Sequence, residues 1–182
     1  PESNAGSLDL LHRAIEIDPE YAEAIAMAAW AYEHRFTRGW PLYSNDDIES
    51  GAALAQKVIE TKTEDPMCLA LSGFVLVMSQ ADVQLGILTV RRALQRQTSN
   101  GLAHVVASTA FVFGNESENE TLRAESIKTI EKAILLSPKD PMMFALYLAG
   151  ALAYMETGDL DKALEYADKS LGLNPGWDTS LQ

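Results

Sequence analysis

Apolar residues return along this chain on two length scales. On the short scale they recur at steps of three and four, the spacing of one helix face. Tyr147, Ala151 and Tyr154 lie at i, i+4 and i+7, and Ala163, Tyr166, Ala167 and Ser170 continue the stripe after a polar break at Gly158-Asp159. On the long scale a phrase repeats. It reads Arg13-Ala14-Ile15-Glu16-Ile17-Asp18-Pro19, then Arg92-Ala93-Leu94-Gln95-Arg96, then Lys132-Ala133-Ile134-Leu135-Leu136-Ser137-Pro138, then Lys169-Ser170-Leu171-Gly172-Leu173-Asn174-Pro175. Lys57-Val58-Ile59-Glu60 is a weaker copy. Each phrase carries a small residue among aliphatics, and three close on proline, which cannot continue a helical hydrogen-bond ladder.

The small residues Ala14, Val58, Ala93, Ala133 and Ser170 stand 44, 35, 40 and 37 positions apart. A unit of about 34 residues with insertions accounts for all four intervals. A unit of that length holds a helix, a turn and a second helix, and it buries its apolar face only by stacking on neighbours. The expected fold is therefore all-α, a solenoid of antiparallel helix pairs in a right-handed superhelix.

The pattern resembles the tetratricopeptide repeat (TPR) at its most diagnostic positions, with aromatics in the first helix, a Gly158-Asp159 turn, small residues in the second helix and Pro175 beyond it. Gly150-Ala151 departs from it by shifting the small residue one place. The expected divisions are a lone second helix over 7–18, a first repeat over 22–65 with an inserted loop at 35–47, and a second repeat over 67–100. A third repeat follows over 101–139 with an acidic loop at 114–120, then a fourth over 141–175 and the start of a further helix over 176–182. Asp46 or Asp47 is expected to cap the helix after the first insertion. The incomplete repeats at both ends imply a segment of a longer array.

Composition narrows the function. The 182 residues include 26 acidic and 14 basic side chains, a net charge of −12. Such a surface repels nucleic-acid phosphates and anionic lipid, so neither nucleic acid nor membrane is an expected partner. No apolar run approaches the roughly 18 residues of a membrane span, and a cytoplasmic location is expected. The single cysteine, Cys68, excludes an internal disulfide and reads as a core residue among Met67, Leu69 and Ala70. His12, His34 and His104 show no metal-binding spacing, with His104 on an apolar helix. The acidic run Glu116–Glu120 lacks the ligand alternation of a calcium loop. No cofactor, metal or catalytic residue is expected, and the segment reads as non-catalytic.

A narrower resemblance lies in Trp30-Ala31-Tyr32 with Arg35 and Gly39-Trp40, in Leu69-Ala70-Leu71-Ser72-Gly73-Phe74, and in Leu136-Ser137-Pro138-Lys139-Asp140-Pro141. These segments resemble the C-terminal TPR regions of bacterial class III adenylate/guanylate cyclases. Similar arrays follow winged-helix DNA-binding domains in other bacterial regulators. The resemblance implies a regulatory scaffold in cyclic nucleotide signalling, with any catalytic domain outside these residues.

In a TPR array the first helix of each repeat lines the concave face. Mapped onto this chain, that face takes Glu23, Ala26, Trp30 and Glu33 from the first repeat and Leu71, Val75 and Met78 from the second. Val105, Thr109 and Val112 follow from the third, then Leu148, Leu152 and Met155 from the fourth. The lysines and asparagines with which some TPR domains clamp a C-terminal carboxylate are missing. The expected partner is a protein or peptide, in particular an apolar or amphipathic helix. The competing expectation is that neighbouring repeats or a second copy of the chain cover this face. Arg35, Phe36, Arg38, Trp40 and Tyr43 in the first insertion form a second candidate surface.

Overall fold

A computed structural model describes residues 2–37, 45–96, 101–114 and 120–174. Among these the regular structure is entirely α-helical, in two compact units divided between Gln97 and Thr98. The first unit holds α1 (Glu2–Ile17), α2 (Ala22–Thr37), α3 (Asn45–Glu60), α4 (Pro66–Met78) and α5 (Val83–Arg96). The second holds α6 (Gly101–Phe113), α7 (Glu120–Leu136), α8 (Met143–Thr157) and α9 (Leu160–Leu173).

The boundaries follow from local chemistry. Asp65 accepts from the Cys68 amide at 2.8 Å, and Pro66 fills the first helical position of α4, where its missing N–H costs nothing. Asp82 and Asp159 cap α5 and α9 in the same way, through the Leu85 and Lys162 amides. α8 ends at Gly158, whose φ of 78° lies in the left-handed region that only glycine enters without penalty. Lys62 and Gln80 hold φ near 57° after α3 and α4, doing the same turn without glycine.

Two expected boundaries are corrected. α1 begins at Glu2 rather than at residue 7, and α2 continues to Thr37, through the point where the inserted loop was expected to start. α3 already begins at Asn45, so Asp46 and Asp47 sit in its first turn and do not precede it. There their charges oppose the partial positive charge of the helix end. Residues 38–44, 97–100, 115–119 and 175–182 lie outside the described residues. The acidic loop and the further helix over 176–182 therefore receive no structural account.

Helices pair with their chain neighbours at points where side chains almost vanish. Gly51 of α3 lies against the Ala29 carbonyl and Tyr32 of α2. Gly73 of α4 and Gly86 of α5 face each other backbone to backbone; a Cβ on Gly73 would stand 2.6 Å from the Gly86 carbonyl. In the α6–α7 pair the buried Ser126 hydroxyl reaches the Ser108 carbonyl at 3.4 Å. In the α8–α9 pair the Tyr166 ring lies directly on Gly150. The departure at Gly150 noted in the sequence is thus the seat of an aromatic ring.

Around these crossings the cores close. In the second unit Val105, Val112, Ile130, Leu146 and Ala153 are buried together, with Leu152 and Tyr166 packed on them. In the first, Ile25, Leu69, Leu76 and Val90 are buried. Cys68 belongs to this core, and burial, reinforced by the Asp65 carboxylate, pushes its thiol from 9.0 up to about 12. Because the thiolate is the reacting species, iodoacetamide at mildly alkaline pH should label Cys68 at least about a hundredfold more slowly than a free cysteine. Denaturant should restore the ordinary rate. Equal rates before and after unfolding would show the thiol to be open.

Candidate interaction surfaces

Helix burial decides which of the expected contact residues a partner can reach. On α2, Glu23 is exposed and Trp30 half-buried, while Ala26 and Glu33 are buried. On α4, Leu71 and Val75 are fully enclosed and only Met78 is partly open. On α6, Val105 and Val112 belong to the core and Thr109 is half-buried. On α8, Leu148 and Leu152 are half-buried and Met155 is 55% exposed. The expected apolar face is therefore closed at Ala26, Leu71, Val75, Val105 and Val112, which serve the packing of their own units.

The open positions on the first helices lie one residue further along. Met27 is 41% exposed beside the buried Ala26, and Phe113 is 46% exposed beside the buried Val112. A phase error of one residue turns a helix face by about 100°, enough to exchange core for surface. Glu23, Met27, Trp30 and His34 then follow at i, i+4, i+7 and i+11, a single face of α2. Trp30 and His34 touch edge to face at 4.6 Å, and His34 Nδ1 lies 2.9 Å from the Trp30 carbonyl. The pair gives α2 a rigid aromatic patch with a methionine beside it.

α8 offers the corresponding stripe in the second unit. Leu148, Leu152 and Met155 follow at i, i+4 and i+7. The tyrosines of the same helix are used internally. Tyr154 donates to Glu131 at 3.0 Å and meets Tyr166 edge to face at 5.1 Å. Burial, then the bond to Glu131, raises its phenol well above the ordinary range, so it stays neutral as a structural group. Lys162 lies over the Tyr154 ring and Lys169 over those of Tyr147 and Tyr166.

The first insertion divides. Arg38, Trp40 and Tyr43 lie outside the described residues. Arg35 and Phe36 are helical and half-buried, in α2. Arg35 does not offer its charge to a partner: Nη1 donates to Asp47 at 3.1 Å, Nε donates to Asn4 at 2.8 Å, and the guanidinium lies over Tyr32. Asn4 in turn donates to the Ala31 carbonyl, and the His12 ring reaches the Tyr32 hydroxyl at 2.9 Å. The basic residue that looked like a gripping side chain ties α1, α2 and α3 together.

Chemistry beyond contact is sparse. Among the described residues no three His, Cys, Asp or Glu side chains converge as metal ligands. No described helix is long and apolar enough to cross a membrane. His104 is buried, in line with its place on an apolar helix.

Helix pairs that meet at small residues, two of them closed by short turns capped at Asp82 and Asp159, are the arrangement of the tetratricopeptide-repeat fold. The tetratricopeptide repeat family model matches residues 145–176, the α8–α9 pair with the start of the segment beyond it. The structure is similar to YrrB, described as a TPR protein with an unusual peptide-binding site, with a TM-score of 0.59 at 18% identity over 99% of this chain and 82% of that one. It is also similar to two structures of MamA. One has a TM-score of 0.58 at 17% identity over 94% of this chain and 89% of that one. The other has 0.56 at 20% identity over 100% and 87%. A comparison with curated proteins finds no match.

Proposed function

We propose that this chain is a non-catalytic protein-recognition scaffold that holds a peptide or helical segment of a partner against the open stripes of its first helices. The observation that carries this reading is the α8 stripe, where Met155 stands out of the surface beside the partly open Leu148 and Leu152. The Met27–Trp30–His34 face of α2 has the same character in the other unit. Methionine adapts its shape to many apolar partners, and an aromatic side chain supplies contact area at low conformational cost. The peptide-binding site named for YrrB supports the same reading by analogy of fold.

Residues 30–40, 69–74 and 136–141 support a finer reading, in which the scaffold is the cytoplasmic regulatory TPR region of a bacterial class III cyclase. Reading the coding sequence upstream separates this from a winged-helix regulator. For the scaffold itself, a displayed library of random peptides should enrich sequences with apolar residues at helical spacing. Met155→Glu should weaken the enriched peptides by about tenfold, or about 1.4 kcal/mol. If the selected peptides bind Met27→Glu and Met155→Glu as tightly as the parent chain, neither stripe is the recognition surface.

A further inference from the structure

We infer that the groove between the first turns of α8 and the last turns of α9 binds a small carboxylic acid with an aromatic body. Met143 and Tyr147 of α8, Lys169 and Leu173 of α9 and Lys139 of the turn before α8 line a cavity of about 600 Å³. That volume lies within the range of small-molecule sites, roughly 300–1,000 Å³. The floor is apolar, made by the Tyr147 ring, the buried Met143 and Leu173. The groove stands apart from the surfaces on which successive helix pairs meet. Lys169, Gly172 and Leu173 lie 37 positions beyond Lys132, Leu135 and Leu136 of α7, the interval that separates Ala133 from Ser170. α7 packs on α8 through Ile127, Ile130 and Ile134, whereas Leu135 and Leu136 remain 82% and 42% exposed with α8 in place. A following helix therefore leaves this side of a second helix open. The Leu148–Leu152–Met155 stripe of α8 shares no residue with the groove, which does not depend on it.

Charge selects the occupant. Lys139 is exposed, and among the described residues it enters no ion pair. Lys169 bonds Glu165 at 2.6 Å along its own helix and lies 5.5 Å from the centre of the Tyr147 ring. An ammonium has three N–H donors, so the bond to Glu165 leaves Lys169 others to offer. Asp140, the acidic residue of the lining, is used within the chain, where it accepts from the Met142 amide at 2.8 Å. Two ammonium groups beside an apolar floor suit a molecule with a carboxylate at one end and a flat apolar body at the other. The body lies on Tyr147 and takes Met143 and Leu173 out of water, while the head meets the lysines. Inorganic phosphate or sulfate would bring the charge without the body and leave the floor wet. The net charge of −12 opposes an anion only from a distance, because physiological salt screens exposed charges beyond about 8 Å.

The test uses the full chain with isotope-labelled methionine methyls, followed by NMR. Naphthylacetate should move the Met143 signal in a saturable titration, and its neutral amide, naphthylacetamide, should bind at least about tenfold more weakly. Lys139→Gln should weaken the acid by about threefold or more and leave the amide unchanged. Lys139 is exposed, so an unchanged thermal melt will show that this variant folds. A Cβ on Gly172 would meet nothing within 4 Å, so Gly172→Phe leaves the packing intact and sets a ring at the groove. That variant should lose both ligands. Met155→Glu should leave the titration unaltered, which separates this groove from the α8 stripe. Equal affinity for acid and amide, or an acid affinity that Lys139→Gln does not change, overturns the inference. A shift of Met27 or Met155 without Met143 also overturns it, because the ligand then sits elsewhere. So does a Met143 shift that appears only after residues 175–182 are removed, because the chain's own C-terminal residues are then the occupant.

Discussion

Gly73→Val is expected to lower the thermal midpoint of the chain by roughly 6–12 °C. A Cβ at this position would stand 2.6 Å from the Gly86 carbonyl, 2.7 Å from a Val90 methyl and 3.0 Å from the Val90 amide. Two of those three atoms are backbone, so a rotamer change in α5 cannot relieve the clash. The helices must move apart, and with them the buried Val77 and Val90. Overpacking of this kind costs about 1–3 kcal/mol, and the branched valine belongs at the upper end. For a chain of this size each kcal/mol moves the midpoint by about 2–4 °C. Helix propensity works the other way but is too small to win, since removing a mid-helix glycine returns at most about 1 kcal/mol. Gly86 presents the reciprocal contact, 2.7 Å from the Gly73 carbonyl. Alanine at both positions should therefore cost less than the sum of the two single changes, because one separation of the helices relieves both. Calorimetry on the three variants checks this. A Gly73→Val midpoint within a degree of the parent would show that the crossing is looser than described.

Arg35→Met should cost about 3 kcal/mol in urea unfolding, the second large effect. Side-chain exposure is only 15% for Arg35 and 9% for Asp47, so water screens the pair little. Removing one partner from a buried ion pair costs about 3–5 kcal/mol, because the other charge stays in a poorly hydrated place. The residual exposure here points to the lower bound. The same substitution removes the bond to Asn4 and the contact over Tyr32, loosening α1 as well. The double variant Arg35→Met/Asp47→Leu should recover part of the loss, since it removes the stranded carboxylate along with its cation. If the single change costs under about 0.5 kcal/mol, the pair behaves as an ordinary surface salt bridge and the tie between helices is weak.

Arg35 also shows where sequence reading reaches its limit. Beside Phe36, Arg38 and Trp40 it looked like part of an exposed insertion, because nothing local announces that Asn4 and Asp47 will converge on it. Elements with local causes were readable. The Gly158-Asp159 turn and the recurring small residues were read from the sequence, whereas Asp65 and Asp82, which cap by the same local chemistry, were not singled out. The orientation of faces was less legible, and α4 and α6 show why. They are apolar on nearly every side, with only Met78, Thr109 and Phe113 among their later residues escaping burial. Without a polar flank the pattern fixes that a helix is buried but not which way it points. On α2 the reading chose Ala26 over Met27, one position from the open face. On α8, where the polar Glu156 and Thr157 mark the outer side, the chosen Met155 is exposed.

The pairing of each helix with its chain neighbour has a consequence for synthesis. Only thirteen positions separate Gly73 from Gly86, and sixteen separate Gly150 from Tyr166. Contacts so local cost little loop-closure entropy and form quickly. A ribosome adds about 5–20 residues each second, far slower than such a hairpin closes. The α4–α5 crossing can therefore assemble while the later part of the chain is still being made. Within each unit the later pair finds an earlier one already formed, α4 meeting α2 and α3, and α8 meeting α6 and α7.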